Sequence, residues 1–142
     1  MKPASSFLLG AIVTLGVAMP ATAQESYIAD LFGESEVPGP GDSNGAGLAT
    51  FDWNFETSQL CYALAVDDID RATAAHVHRG TDSEAGPSVA TLDTPGFDGG
   101  ADGCLEISEE LRAELRANPS AFYVNVHNDA YPAGAVRGQL ER

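Results

Sequence analysis

Leu60-Cys61-Tyr62-Ala63-Leu64-Ala65-Val66 is the stretch whose reading decides the fold. Its large apolar residues, Leu60, Tyr62, Leu64 and Val66, fall at every second position, so an extended chain puts them on one face. Upstream, Thr57-Ser58 marks a turn, and Ala46 to Phe55 alternates loosely, with Leu48, Phe51, Trp53 and Phe55 as its large apolar members. Two extended runs joined this closely predict an antiparallel hairpin. Further upstream, Tyr27-Ile28-Ala29-Asp30-Leu31-Phe32 is rich in β-forming residues. It precedes Glu36-Val37-Pro38-Gly39-Pro40-Gly41-Asp42, where prolines and glycines forbid regular structure.

Downstream the same rhythm continues. After the acidic turn Asp67-Asp68-Ile69-Asp70 comes Ala74-Ala75-His76-Val77-His78-Arg79-Gly80, a short strand ending in a glycine turn. Ser88 to Leu92 reads as another strand, Pro95 to Gly103 as loop, and Cys104-Leu105-Glu106-Ile107 as a resumed extended run. One helix is expected. Ser108 can cap its first turn, Glu109 and Glu110 suit the positive end of its dipole, Leu111 and Leu115 share a face, and Pro119 stops it. Phe122 to His127 and Ala135 to Leu140 are the last strands, around the turn Tyr131-Pro132-Ala133-Gly134. Many short strands at turn spacing with one short helix predict an all-β fold, an antiparallel Greek-key β-sandwich or barrel.

The beginning of the 142-residue chain reads differently. Lys2, the apolar run Phe7 to Met19 and the small residues Ala21-Thr22-Ala23 make Met1 to Ala23 a secretory signal peptide, too short in its apolar part to span a bilayer. Residues 24–142 would then form a single domain in the periplasm or outside the cell. That part carries six arginines, no lysine and all 21 acids, a net −15. A nucleic-acid partner needs a basic footprint, and an anionic membrane surface needs the same, so both are excluded as partners. Cys61 and Cys104, in a chain bound for an oxidising compartment, are most simply one disulfide. A two-cysteine metal site is the less favoured alternative.

The three histidines are the most informative residues. His76 and His78 are one residue apart, so a strand presents both rings on one face, about 7 Å apart along the chain. His127 ends a strand of its own. A His-x-His pair plus a histidine from a second strand is a way for a β-sheet to supply three nitrogen ligands to a metal. Scaffold histidines with ordinary hydrogen bonds are the competing explanation.

Several motifs resemble the chordin-type (CHRD) domain, over roughly Tyr27 to Leu140. They are Ala75-His76-Val77-His78-Arg79-Gly80, Ala85-Gly86-Pro87-Ser88-Val89-Ala90-Thr91-Leu92, Tyr123-Val124-Asn125-Val126-His127-Asn128 and Pro132 to Leu140, with Glu36-Val37-Pro38 and Gly45-Ala46-Gly47 at the opening. The resemblance implies an extracellular module, and its bacterial single-domain members resemble copper proteins, some thought to be copper-dependent superoxide dismutases. His76-Val77-His78 is also similar to the first copper-ligand pair of copper-zinc superoxide dismutase. This chain departs from that enzyme's pattern in having no further histidines for a zinc site or a bridging imidazole, so the resemblance leaves room for a copper-only site at most.

Three imidazoles without a thiolate suit copper, zinc or nickel, and copper(II) binds tightest by the Irving–Williams order. One copper ion at His76, His78 and His127 is therefore expected, with zinc less so, and superoxide as the small anionic substrate. Arg137, on the strand after the one ending at His127, is the candidate to attract that anion. Arg79 points to the opposite strand face and is weaker. Asn125, Tyr123 and Tyr131 are candidates for the pocket wall, and Asp129 or Glu84 for hydrogen bonding a ligand imidazole. Asp67, Asp68, Asp70, Asp98 and Asp102 do not match a calcium loop and read as solvated turns. The rival readings are a non-catalytic extracellular binding module, a copper carrier, and a zinc hydrolase using the same three histidines.

Overall fold

A computed structural model describes residues 25–142; the leader expected over Met1 to Ala23 lies outside the described residues. Eight strands follow one another along the chain. They are β1 (Ser26–Phe32), β2 (Ala46–Asn54), β3 (Gln59–Asp67), β4 (Ala72–Arg79), β5 (Ser88–Leu92), β6 (Gly100–Leu105), β7 (Phe122–Asn128) and β8 (Val136–Gln139). The helix α1 (Glu109–Ala117) lies between β6 and β7. All strand pairs are antiparallel, in the order β5-β4-β7-β8-β1-β2-β3-β6. The hairpin expected at Thr57-Ser58 is there, with β2 and β3 paired from Ala46 opposite Asp67 to Asn54 opposite Gln59. The sheet curls until its ends nearly meet. Near the gap the amide of Asp93, just after β5, donates to the Tyr62 hydroxyl of β3 at 2.8 Å.

Alternation sorts each strand into an inner and an outer face. Tyr27, Ala29 and Leu31 of β1, Ala49, Phe51 and Trp53 of β2, and Leu60, Tyr62, Leu64 and Val66 of β3 all point inward and are buried. Ala75 and Val77 of β4, Val124 and Val126 of β7 and Val136 of β8 complete the far wall. Helix α1 adds Leu115 to this core. Its start is capped as expected, with Ser108 Oγ accepting from the Leu111 amide at 3.1 Å. Arg112 of α1 lies 4.0 Å over the Trp53 ring and binds Glu25 at 2.7 Å.

One stretch departs from the sequence reading. The expected loop ended at Gly103, but β6 begins at Gly100 and runs only to Leu105. Backbone hydrogen bonding to β3 creates this strand, and Gly100, Ala101 and Gly103 offer almost no side chain to signal it. Cys61 and Cys104 stand opposite each other in that pairing and form a disulfide, and no free cysteine is present among the described residues. No helix among the described residues is long and apolar enough to cross a membrane.

Candidate metal centre

Because Ala75, Val77, Val124 and Val126 take the inner face, their neighbours His76 and His78 on β4 and Tyr123, Asn125 and His127 on β7 must take the outer one. Antiparallel register then lines them up. His76 lies opposite Asn125, which lies opposite Arg137 of β8; His78 lies opposite Tyr123, which lies opposite Gln139. The outer face here is covered in part, with the three histidines left half-buried. The segment 80–87 folds across Tyr123 and Arg137, and Glu36 and the turn 130–134 cover Asn125. Asn125 and Arg137 are 3% and 1% exposed as a result.

The three histidines converge. Each offers a ring nitrogen, and those three nitrogens lie within 4.8 Å of one another. His76 Nδ1 and His127 Nε2 are 3.1 Å apart. The tautomers follow from the partners. His78 Nδ1–H donates to the Gly86 carbonyl at 2.8 Å, and His127 Nδ1–H donates to the Pro132 carbonyl at 3.0 Å. Both rings therefore present Nε2 as a lone pair. His78 Nε2 is buried and has no hydrogen-bond partner in the protein. A buried acceptor left unpaired is costly, and His78 Nε2 is one, whereas His127 Nε2 accepts from His76 Nδ1–H; the three nitrogens face one point and could together hold a metal ion.

Distances support the fit. Nitrogen ligands sit about 2.0–2.1 Å from zinc, and copper–imidazole sites are of similar size, so two ligands on one ion can be at most ~4.2 Å apart. The His76–His127 separation of 3.1 Å already meets this limit. From the 4.8 Å bound, His78 needs to approach by less than ~1 Å. Burial, followed by the charges of His127 and His78, holds the His76 pKa below the ordinary histidine value. Burial also lowers that of His127, against the Pro132 carbonyl bond, which raises it. Neutral rings are the ligating form.

The other expected residues divide. Tyr123 is part of the wall: its ring stacks on His78 at 4.9 Å, and its hydroxyl accepts from the Gly86 amide at 3.1 Å. Arg137 lies behind it, the guanidinium 3.5 Å over the other side of the site's aromatic wall, with Nη2 donating to the carbonyls of Thr81 and Glu84. Asn125 donates to Ala133 O at 3.3 Å and to Glu36 Oε1 at 3.4 Å. Tyr131 lines a separate hollow of about 160 Å³ beside Glu36 and Pro132. Backbone carbonyls, rather than Asp129 or Glu84, hold the ligand rings; the Glu84 carboxylate instead accepts from Thr81. Arg79 is turned away and pairs with Glu114.

The residue that sequence reasoning missed is Glu36. It is only 7% exposed, and its carboxyl pKa is pushed up to about 7 because burial outweighs the Asn125 hydrogen bond and the Arg137 charge. Gly134, at φ +152°, makes room for it, since a Cβ there would meet the Glu36 carboxyl at 2.3 Å. The visible signal was a carboxylate amid prolines and glycines, a pattern that ordinarily marks an exposed turn.

The family model for the CHRD domain matches residues 27–140. The chain belongs to the CHRD domain family. The match spans all eight strands of the CHRD fold described above and includes the three histidines. Comparison with curated proteins and with solved structures finds no match.

Proposed function

We propose that this CHRD protein is exported, holds one copper ion at His76, His78 and His127, and dismutes superoxide. The observation that carries the reading is the convergence of three imidazole nitrogens, one of them buried and unpaired, with no thiolate or carboxylate among them. The disulfide fits an oxidising compartment outside the cytoplasm. Copper, when bound, supplies one-electron chemistry with imidazole ligation in both oxidation states.

The chain's own residues supply the rest. Gly86 and Pro132 lock two rings with Nε2 forward, so two of the three donor nitrogens are oriented before any ligand arrives, while His76 Nδ1–H bonds His127 Nε2 until an ion replaces that contact. Tyr123 holds His78 from behind by stacking. Arg137 places a positive charge under this part of an otherwise acidic surface; being buried, it acts on an approaching anion through its field. Screening sets in over about 8 Å at physiological salt, so this nearby charge outweighs the distant surface carboxylates close to the site, and Glu36 beside it, with a pKa of about 7, offsets it only in part near neutrality. In dismutation one superoxide gives up an electron and leaves as oxygen. A second takes that electron and two protons from solvent and leaves as hydrogen peroxide.

The test compares copper-loaded protein with free copper ions in accelerating superoxide decay, alongside copper(II) electron paramagnetic resonance of wild type and the His76→Ala, His78→Ala and His127→Ala variants. Faster decay, with a three-nitrogen signal degraded in each variant, is expected. Stoichiometric copper without turnover would make the protein a carrier, and zinc retained with hydrolytic activity a hydrolase. No metal at all would leave a binding module. Each of these overturns the proposal.

A further inference from the structure

Behind the histidines, two more polar atoms are buried without a partner. Arg137 Nη2 donates to Thr81 O, Glu84 O and Gln139 Oε1, but Arg137 Nη1 has nothing to donate to within the protein. Asn125 Nδ2 is used by Glu36 and Ala133, whereas Asn125 Oδ1 accepts from nothing. The two residues are directly opposed on β7 and β8, which sets their Cβ atoms roughly 4.5–5.5 Å apart on the same face. A spare donor and a spare acceptor therefore sit on neighbouring side chains, both more than nine-tenths buried, and are not bonded to each other.

We propose that one internal water molecule is bound between Arg137 and Asn125, beside the Glu36 carboxyl, as a fixed part of the wall behind the histidines. The ligand class follows from the atoms. It must accept from a guanidinium N–H and donate to an amide oxygen, and water does both. An anion would meet the Arg137 donor but also the Asn125 oxygen and the Glu36 carboxyl. A cation would meet the Arg137 charge. Glu36 and Arg137 are the charged groups around the position, and a water between them solvates whichever form the carboxyl adopts.

The water gives Asn125 a role beyond filling space. Its amide is pinned at one end to Glu36 and to Ala133 O, the residue after the Pro132 carbonyl that orients His127. With the water holding Oδ1, the amide keeps Nδ2 toward the turn 130–134. The inference needs no metal, so it stands or falls separately from the copper reading.

The experiment is water-selective nuclear magnetic resonance on the ¹⁵N-arginine-labelled protein without added metal. A direct dipolar cross peak between a long-lived water and the Arg137 guanidinium protons is expected, distinct in sign from proton exchange. Asn125→Leu should abolish it while leaving the Arg112 signals unchanged, and bromide titration should leave Arg137 unshifted. Absence of the cross peak in wild type overturns the proposal. So does its survival in Asn125→Leu, or a saturable bromide shift, which would make the position an anion site. Should Asn125→Leu not fold, the wild-type cross peak and the bromide titration decide alone.

Discussion

Replacing Glu36 by glutamine keeps the outline of the side chain and removes its charge, which isolates what burial does to this carboxyl. Its pKa rises from 4.5 to about 7 on folding. At 1.36 kcal/mol per unit, that displacement corresponds to about 3 kcal/mol between the folded protein's preference for the neutral and the ionised form. With Glu36 only 7% exposed, little of this is lost to solvent screening. Between these pH values the folded state binds more protons than the unfolded one, so stability falls as pH rises. Wild type should lose about 3 kcal/mol of this contribution from below pH 4.5 to above pH 7, and Glu36→Gln should not. Urea denaturation of both proteins without metal, at a series of pH values from 4 to 8, reads the difference. The titrations of Glu25, His76 and His127 are common to both and cancel. The variant should match wild type in acid and exceed it by about 3 kcal/mol above neutrality. A difference that does not change with pH, or one that shrinks as pH rises, would refute the burial argument.

Three further outcomes are expected. Copper retention should weaken as pH falls, with the loss setting in below the ordinary histidine value of about 6.5, because His76 and His127 are both held lower by burial; equilibrium dialysis against a chelator reads this, and full retention at pH 3 would mean other ligands. Removing the disulfide by Cys61→Ser with Cys104→Ser frees a sequence separation of 43 residues and should lower stability by about 3–4 kcal/mol, measured by denaturant unfolding. Ser108→Ala removes the acceptor for the Leu111 amide and should destabilise by about 1 kcal/mol, seen as a lower melting temperature with β-sheet circular dichroism unchanged.

What the sequence made legible follows from which residues carry side-chain information. Leu60, Tyr62, Leu64 and Val66 announce β3 because their alternation is physical, and all four are in the core. His76 and His78 share a face by the same rule, and the pairing of β4 with β7 brings His127 to them. That pairing was not deducible from spacing; the ordered motifs resembling the CHRD domain carried it. β6 was shortened in the reading because glycine and alanine leave the strand to be set by its partner. The groups orienting His78 and His127 were sought among carboxylates, but Gly86 and Pro132 supply them as backbone carbonyls, which every residue has and no sequence pattern advertises. Glu36 escaped notice because its burial comes from Asn125, Gly134 and Arg137, all distant along the chain.

The histidines ride on the outside of the barrel wall, and none of them belongs to the apolar interior that holds the strands together. Scaffold and chemistry are thereby insulated from each other. Substitutions on the outer rows of β4, β7 and β8 can erase, retune or replace the histidine cluster with the interior left intact. Relatives sharing this barrel are free to differ in what they bind, and the outer row of a given sequence, rather than its fold, is where that difference is written.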